Sequence, residues 1–435
     1  MTTYDVVIIG AGVFGLSAAA QFARCGKSVF VIDKYSVPSP ISAANDYNKI
    51  VRLEYNDEVY AQLAVEAMQY WHNDADDFLP RGLLHESYSH CGRISIVPPE
   101  SSPRYKFESQ SLALLREKFG RCKEVQVFEN DLTCGGKFPQ FCANGLVGKK
   151  LRYNPDCGIG IAGKSLIKMK GYCESLGVKF REGDGVKNIT SGSIVYVTTC
   201  SGKTFNGRQV LVACGANSSN VIDLSRQTRA TGLYVGHIQL TDKEYEKYRD
   251  IPVVFDPTLG YFFPPDRATK ILKICASASS TYDPESKSVK PRYKYEEPEM
   301  VKSIPIQSVV QIRTILGQYM PDLLYKKKKL RDIIGCKICW ISDTSNSDFI
   351  IDQIPHMQNV FISCGDSGHG YKFLPNIGYY IKRRMDGNLS LLLKEKWQWR
   401  ESAWTKDVLD WRVEHNRKHI GEIDWYEERF SGTKL

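Results

Sequence analysis

Gly10-Ala11-Gly12-Val13-Phe14-Gly15 follows the apolar run Tyr4 to Ile9 and opens a periodic stretch from Gly15 to Arg24 that Gly26 ends. The first glycine permits a tight turn, the second lets a pyrophosphate approach the backbone, and the third lets helix and strand pack closely. A helix beginning here turns its free amides toward phosphate. A second apolar run, Ser28 to Ile32, stops at Asp33, where a carboxylate can accept hydrogen bonds from ribose hydroxyls. Strand, turn, helix, strand and acid in this order predict a dinucleotide-binding unit of an α/β fold. The acid disfavours a 2′-phosphate and therefore NADP. The turn itself leaves FAD and NAD open.

Further strands are expected at Gly177 to Phe180, at Ile194 to Thr199 as an edge, at Val210 to Cys214 before Gly215, and at Val360 to Cys364 before Gly365. They read as one parallel sheet assembled from distant segments. Residues near 91–149 and 226–329 have another character, richer in proline, aromatics and alternation, as in Gly260-Tyr261-Phe262-Phe263-Pro264-Pro265. The expected organisation is a discontinuous cofactor domain, 1–90, 150–225 and 330–435, with an interleaved, sheet-based substrate domain, 91–149 and 226–329.

A chain of 435 residues with 42% hydrophobic residues can bury a full core. No apolar run reaches the roughly 18 to 20 residues of a membrane span, and the N-terminus lacks signal-peptide sections, so a soluble intracellular protein is expected. Thirteen cysteines, several inside apolar runs, suit small buried hydrophobes in a reducing compartment. The net charge of +9 is spread out, and its densest run, Lys326 to Lys329, reads as a solvated loop rather than a nucleic-acid patch. Some of that charge can serve an anionic substrate. The terminal Thr433-Lys434-Leu435 departs at one position from the peroxisomal Ser-Lys-Leu signal, so a cytoplasmic or a peroxisomal location is expected.

Three segments carry a resemblance. They are Cys339-Trp340-Ile341-Ser342-Asp343-Thr344, then Asp348 to Asp352, then Asn359 through Cys364-Gly365-Asp366-Ser367-Gly368-His369-Gly370-Tyr371-Lys372-Phe373. With Asn45-Asp46-Tyr47-Asn48-Lys49-Ile50-Val51-Arg52, they are similar to the monomeric sarcosine oxidase, pipecolate oxidase and fructosyl amino acid oxidase family, and the likeness covers nearly the whole chain. It implies a Rossmann-type FAD-binding domain of the glutathione reductase and D-amino acid oxidase type, α/β in class, with an α+β second domain built mainly on an antiparallel sheet.

The resemblance also implies FAD bonded covalently through its 8α carbon to the sulfur of Cys339. The chemistry suits a thiolate, once its pKa is lowered locally, adding to an activated methyl carbon. Cys336 and Cys339 form a C-x-x-C pair, which reads as a redox disulfide or half a zinc site, but zinc needs a second ligand pair and the chain holds no second C-x-x-C, so no metal is expected. The implied cofactor contacts are Gly10, Gly12, Val13, Phe14, Gly15, Asp33, Lys34, Ser42, Asn48, Lys49, Val186, Asp366, Gly368, Gly370, Tyr371 and Lys372.

Arg52 matches the family arginine that clamps a substrate carboxylate through two parallel hydrogen bonds, and Lys372 and Tyr261 are the other expected substrate contacts. Lys273, inside the apolar run Ile271 to Cys275, must snorkel out or serve a site, because an unpaired buried ammonium is costly. The family places a lysine there, bridged by water to flavin N5, where its charge favours oxygen reduction. Lys49 stands in support above the ring.

The family oxidises secondary amines of amino acids: a hydride leaves for flavin N5, the imine hydrolyses, and oxygen becomes peroxide. No general base is evident, and none is needed if Arg52, Lys372 and Lys49 hold the bound amine neutral. Asn45 to Lys49 is similar to the fructosyl branch, and Ile50 to Tyr55 to the pipecolate and saccharopine branch. Ser277 stands where fructosyl enzymes carry an acid, whereas Trp397-Gln398-Trp399-Arg400 resembles their pattern. Saccharopine-like amines rank first, fructosyl amino acids second, pipecolate or sarcosine third. The expected partners are that small amine and O2, with no nucleic acid or membrane, in a monomer.

A nicotinamide dehydrogenase would share the glycine turn but not the Cys339 constellation. A flavin monooxygenase would need a second glycine motif or the Gly-Asp strand end that Gly365-Asp366 mimics. A non-enzymatic nucleic-acid binder is favoured by the charge alone.

Overall fold

The computed structural model describes residues 2–141, 149–282, 303–401 and 417–427. Thr3–Ile9 forms the central strand of an eight-stranded sheet, flanked in parallel by Val29–Asp33 and Thr204–Val212. Lys179–Glu182 continues beyond Val29–Asp33, and Val360–Cys364 pairs in parallel with the end of Thr204–Val212. These strands read as apolar runs because both faces are covered. Val6 to Ile9 are each at most 3% exposed, and burying such side chains contributes about 1.5–3 kcal/mol apiece.

The sheet is mixed rather than wholly parallel. Val195–Thr199 lies antiparallel to the first half of Thr204–Val212, and Val186–Thr190 outside it forms the edge; Ile350–Gln353 closes the other side, also antiparallel. Short connections make these pairings hairpins, which local alternation alone does not orient.

A nine-stranded second sheet, mainly antiparallel, runs Ile334–Asp343, Arg229–Gln239, Ile271–Tyr282, Gly260–Phe262, Val253–Asp256, Arg93–Ile96, Lys150–Asn154 and Gln126–Glu129, with Arg417–His419 beside Ile271–Tyr282. Three of its strands, Ile334–Asp343, Lys150–Asn154 and Arg417–His419, fall inside segments assigned above to the cofactor domain. Ile334–Asp343 pairs with Arg229–Gln239, and Lys150–Asn154 lies between Arg93–Ile96 and Gln126–Glu129. Strand partners are non-local, so composition shifts do not mark where a strand docks. The family-level expectation of a Rossmann-type α/β unit with an antiparallel-sheet second unit holds.

No helix among the described residues is long and apolar enough to cross a membrane. Lys326 to Lys329 is a hairpin turn, with Lys327 and Lys328 at positive φ and all four side chains exposed. The terminal Thr433-Lys434-Leu435 and the side chain of Ser277 lie outside the described residues.

Candidate active site

Helix Val13–Arg24 begins at Gly12, whose side-chain position opens on space, whereas Gly10, at φ 102°, would press a Cβ to 2.5 Å from the Ala213 carbonyl oxygen. A Cβ on Gly15 would overlap the Gly10 carbonyl. Each glycine therefore does what the turn requires: Gly10 bends, Gly15 packs, and Gly12 leaves its face clear.

That face borders a cavity of about 870 Å³. The expected contacts Gly10, Gly12, Val13, Phe14, Asp33, Lys34, Ser42, Lys49, Val186, Asp366, Gly368, Gly370 and Tyr371 all line it. Gly15, Asn48, Cys339 and Lys372 do not line it. Cys214, Ala216, Asn217 and Asn220 do, although no role was expected of them; the glycine ending the strand at Gly215 was the available signal.

Asp33 already holds the turn, its Oδ2 accepting from the Ala11 amide at 2.8 Å and Oδ1 from Tyr35 at 2.9 Å. Burial raises its pKa. Asp366 accepts from the Ser342 and Gly368 amides at 3.0 and 3.1 Å, fixing the C-terminal glycine turn against strand Ile334–Asp343. A long slot with amides at one helix N-terminus and a carboxylate at the second strand fits a flavin dinucleotide.

At the inner end of the slot lies a group of charges. Lys273 is 1% exposed and does not snorkel. Its Nζ donates to the Asn48 carbonyl at 2.7 Å and pairs with Asp46 at 2.5 Å. Lys49 pairs with the same carboxylate at 3.0 Å, and its Nζ stands 3.9 Å from Cys339 Sγ. Lys337 donates to the carbonyls of Ser42 and Asn45 close by.

Asp46 was quoted in the motif without a role, yet it is the counter-ion that permits Lys273 to be buried, with the half-buried Lys49 on the same carboxylate. Burial opposes its ionisation, but Lys273, Lys49 and Lys337 together hold its pKa well below the usual carboxylate range. Burial likewise opposes the charge on Lys49, but Cys339 and Asp46 beside it outweigh that and raise the pKa. His237 beside them is lowered to about 4 by burial.

Replacing Asp46 with Asn is expected to destabilise the fold by about 3–5 kcal/mol, since it leaves lysines buried without compensation; denaturant unfolding measures this. Because the folded pKa of Asp46 is depressed, its contribution is full above the unfolded value of about 4 and fades as pH falls below it. The stability gap between Asp46→Asn and wild type should therefore narrow on acidification.

Arg52 follows strand Lys49–Val51, and its guanidinium donates to the Glu54 carbonyl while standing 5.2 Å over the Tyr55 ring. Lys372 is 4% exposed, not solvated, and donates to Tyr55 Oη at 2.7 Å and the His369 carbonyl at 2.8 Å. Burial, and then Arg52, push its ammonium well below the ordinary lysine range. Tyr261 is packed beside Cys275 and Cys339, and burial raises its phenol.

Cys336 and Cys339 lie an odd number of positions apart on one strand, so they point to opposite faces. Cys336 packs in the core of the second sheet and Cys339 with Cys275 and Tyr261. The pair can form neither a chelate nor a disulfide with itself. Among the described residues no cluster of His, Cys, Asp and Glu could hold a metal. Trp397 is fully buried and donates through Nε1 to Tyr60 at 3.1 Å, whereas Gln398 is exposed and Trp399 and Arg400 are half-buried.

A glycine-turn nucleotide slot bordered by Lys49, with the buried Lys273 and the Cys339 thiol beside it, fits a flavin-dependent oxidoreductase. The family model for FAD dependent oxidoreductases matches residues 5–384. The chain belongs to that family.

It is 35% identical over 430 residues to L-saccharopine oxidase of Schizosaccharomyces pombe, across 94% of this chain and 95% of that protein. It is 22% identical to monomeric sarcosine oxidase of Bacillus sp., across 87% and 91%. Among solved structures it is similar to fructosyl peptide oxidase from E. terrenum, with a TM-score of 0.85, 26% identity, and 98% of each chain covered. The resemblance drawn from Cys339 to Phe373 is thereby borne out.

Proposed function

We propose that the protein is a flavin-dependent oxidase of the secondary amine of an N-substituted amino acid, with a saccharopine-like substrate, releasing an imine that hydrolyses and hydrogen peroxide. The observation that carries this reading is the arrangement of Arg52 and Lys372 around Tyr55, together with a slot bordered by Lys49, whose ammonium stands 3.9 Å from the Cys339 sulfur. When bound, FAD supplies the hydride acceptor and returns the electrons to oxygen.

The residues present fit that group. Gly12 and the helix N-terminus accept the pyrophosphate, Asp33 keeps lone pairs for a ribose, and Val186 and Lys34 border the same end of the slot. Cys339, whose sulfur lies 3.9 Å from the Lys49 ammonium, would carry the flavin covalently. Arg52 and Lys372 bind the substrate carboxylate, and their charges lower the pKa of the bound amine, so it presents a lone pair without a protein base. Lys273, held by Asp46 and Asn48, supplies fixed positive charge for oxygen reduction. The second sheet bears Tyr261 and Lys273 and serves as the substrate unit.

The 35% likeness to L-saccharopine oxidase supports the substrate class. The excess of cations near Arg52 supports it independently. A monomer and a peroxisomal location match the names of the sarcosine oxidase relatives, and a cytosolic location is the alternative. Peroxide release should be highest with saccharopine in a screen that also holds fructosyl-lysine, fructosyl-valine, pipecolate and sarcosine. Faster release from a fructosyl amino acid would move the protein to the deglycating class, to which the similar solved structures belong.

A further inference from the structure

Next to Arg52 the charge is unbalanced. Glu54 is buried, pairs with Arg93 at 2.8 Å, and lends its carbonyl to Arg52. Glu108 pairs with Arg104 at 3.2 Å and with Arg152 at 2.9 Å. In this group two carboxylates thus face four guanidiniums, and the Lys372 ammonium feels Arg52, Glu54 and Arg93 from the same space. Concentrated positive charge in a poorly hydrated place calls for an anion.

Arg104 is placed to meet one. It stands in the first turn of helix Pro103–Phe119, with its side chain 23% exposed, at the rim rather than in the core. Its guanidinium lies 4.4 Å over the ring of Phe255, which stacks on Tyr261 with centroids 5.8 Å apart. Tyr261 meets Phe263 edge-on at 5.5 Å, and Lys273 Nζ lies 4.5 Å over Phe263. One aromatic wall therefore runs from the oxygen-side lysine to Arg104. Arg104 shares Glu108 with Arg152, Arg152 pairs in register with Ser95 two places from Arg93, and Arg93 and Arg52 both meet Glu54, so the four guanidiniums form one connected group.

We propose that Arg104 is a specificity-determining residue that binds a second carboxylate of the substrate, beyond the one Arg52 pairs with. This rests on the N-substituted amino acid reading above and narrows it to amines carrying at least two carboxylates. A guanidinium stacked on an aromatic ring is held flat, in the orientation that lets its edge fork around a carboxylate. Substrates with a single carboxylate offer Arg104 no second anionic partner.

The test compares wild-type, R104Q and R104K holoenzymes on saccharopine and on pipecolate, which has one carboxylate. R104Q should lower kcat/KM for saccharopine by about 10- to 100-fold, mainly through KM, the range of one lost charge-assisted hydrogen bond. Pipecolate turnover should be unchanged, and R104K should recover part of the loss. Binding of glutarate and of propionate, read from the flavin absorbance without turnover, should weaken for glutarate alone. Equal losses on both substrates, or no loss on saccharopine, would overturn the assignment. If wild-type enzyme handles saccharopine no better than pipecolate, the substrate reading itself fails instead.

Discussion

Lys273→Met is expected to slow reoxidation of the reduced enzyme by oxygen about 10²- to 10³-fold, the usual effect of removing one preorganised charge from a developing anion. Reduction by substrate should change far less. The reason is positional: Lys273 reaches the site from strand Ile271–Tyr282, is 1% exposed, and is fixed by Asp46 at 2.5 Å and by the Asn48 carbonyl. It holds its charge where water cannot screen it, whereas the proposed carboxylate partners are Arg52 and Lys372. Methionine keeps the length and apolar stem of the side chain, so packing against Phe263 persists. Asp46 then retains Lys49 as its partner at 3.0 Å. Stopped-flow absorbance of the two half-reactions separates the effects; reoxidation at the wild-type rate would remove Lys273 from oxygen chemistry.

Cys339→Ala is expected to convert flavin that stays with acid-precipitated protein into flavin that is released entirely. Cys339 is 4% exposed, lies in the middle of strand Ile334–Asp343, and is the thiol 3.9 Å from the Lys49 ammonium. Cys275, packed in the same cluster, has its thiol pushed up to about 11 by burial, and a protonated thiol is a poor nucleophile. Flavin retained after precipitation of Cys339→Ala would assign the bond to another residue. Because the substitution removes only one sulfur from a packed cluster, the variant should still fold and bind FAD reversibly.

The cofactor half of the fold was legible because its signals are local. A buried strand, a glycine turn, an amphipathic helix and a terminal acid all fall between Thr3 and Asp33. The sheet around Ile334–Asp343 was not, since its partners Arg229–Gln239 lie about a hundred positions away and no local pattern names them. The same distance hid Asp46. A loop aspartate ordinarily faces water, and only the convergence of Lys49, Lys273 and Lys337 from separate elements makes it a buried counter-ion. Arg104 was hidden likewise, its significance resting on Phe255, which reaches it from a strand of another segment. The C-x-x-C spacing suggested paired chemistry until the strand placed its two thiols on opposite faces.

The central claim, that a bound amine alone reduces the flavin and oxygen alone restores it, is tested most directly by anaerobic mixing of the holoenzyme with saccharopine, followed by air. The yellow absorbance should bleach with no nicotinamide present and return with stoichiometric peroxide once oxygen is admitted. Bleaching that requires NADH or NADPH, with the amine alone leaving the spectrum unchanged, would contradict it.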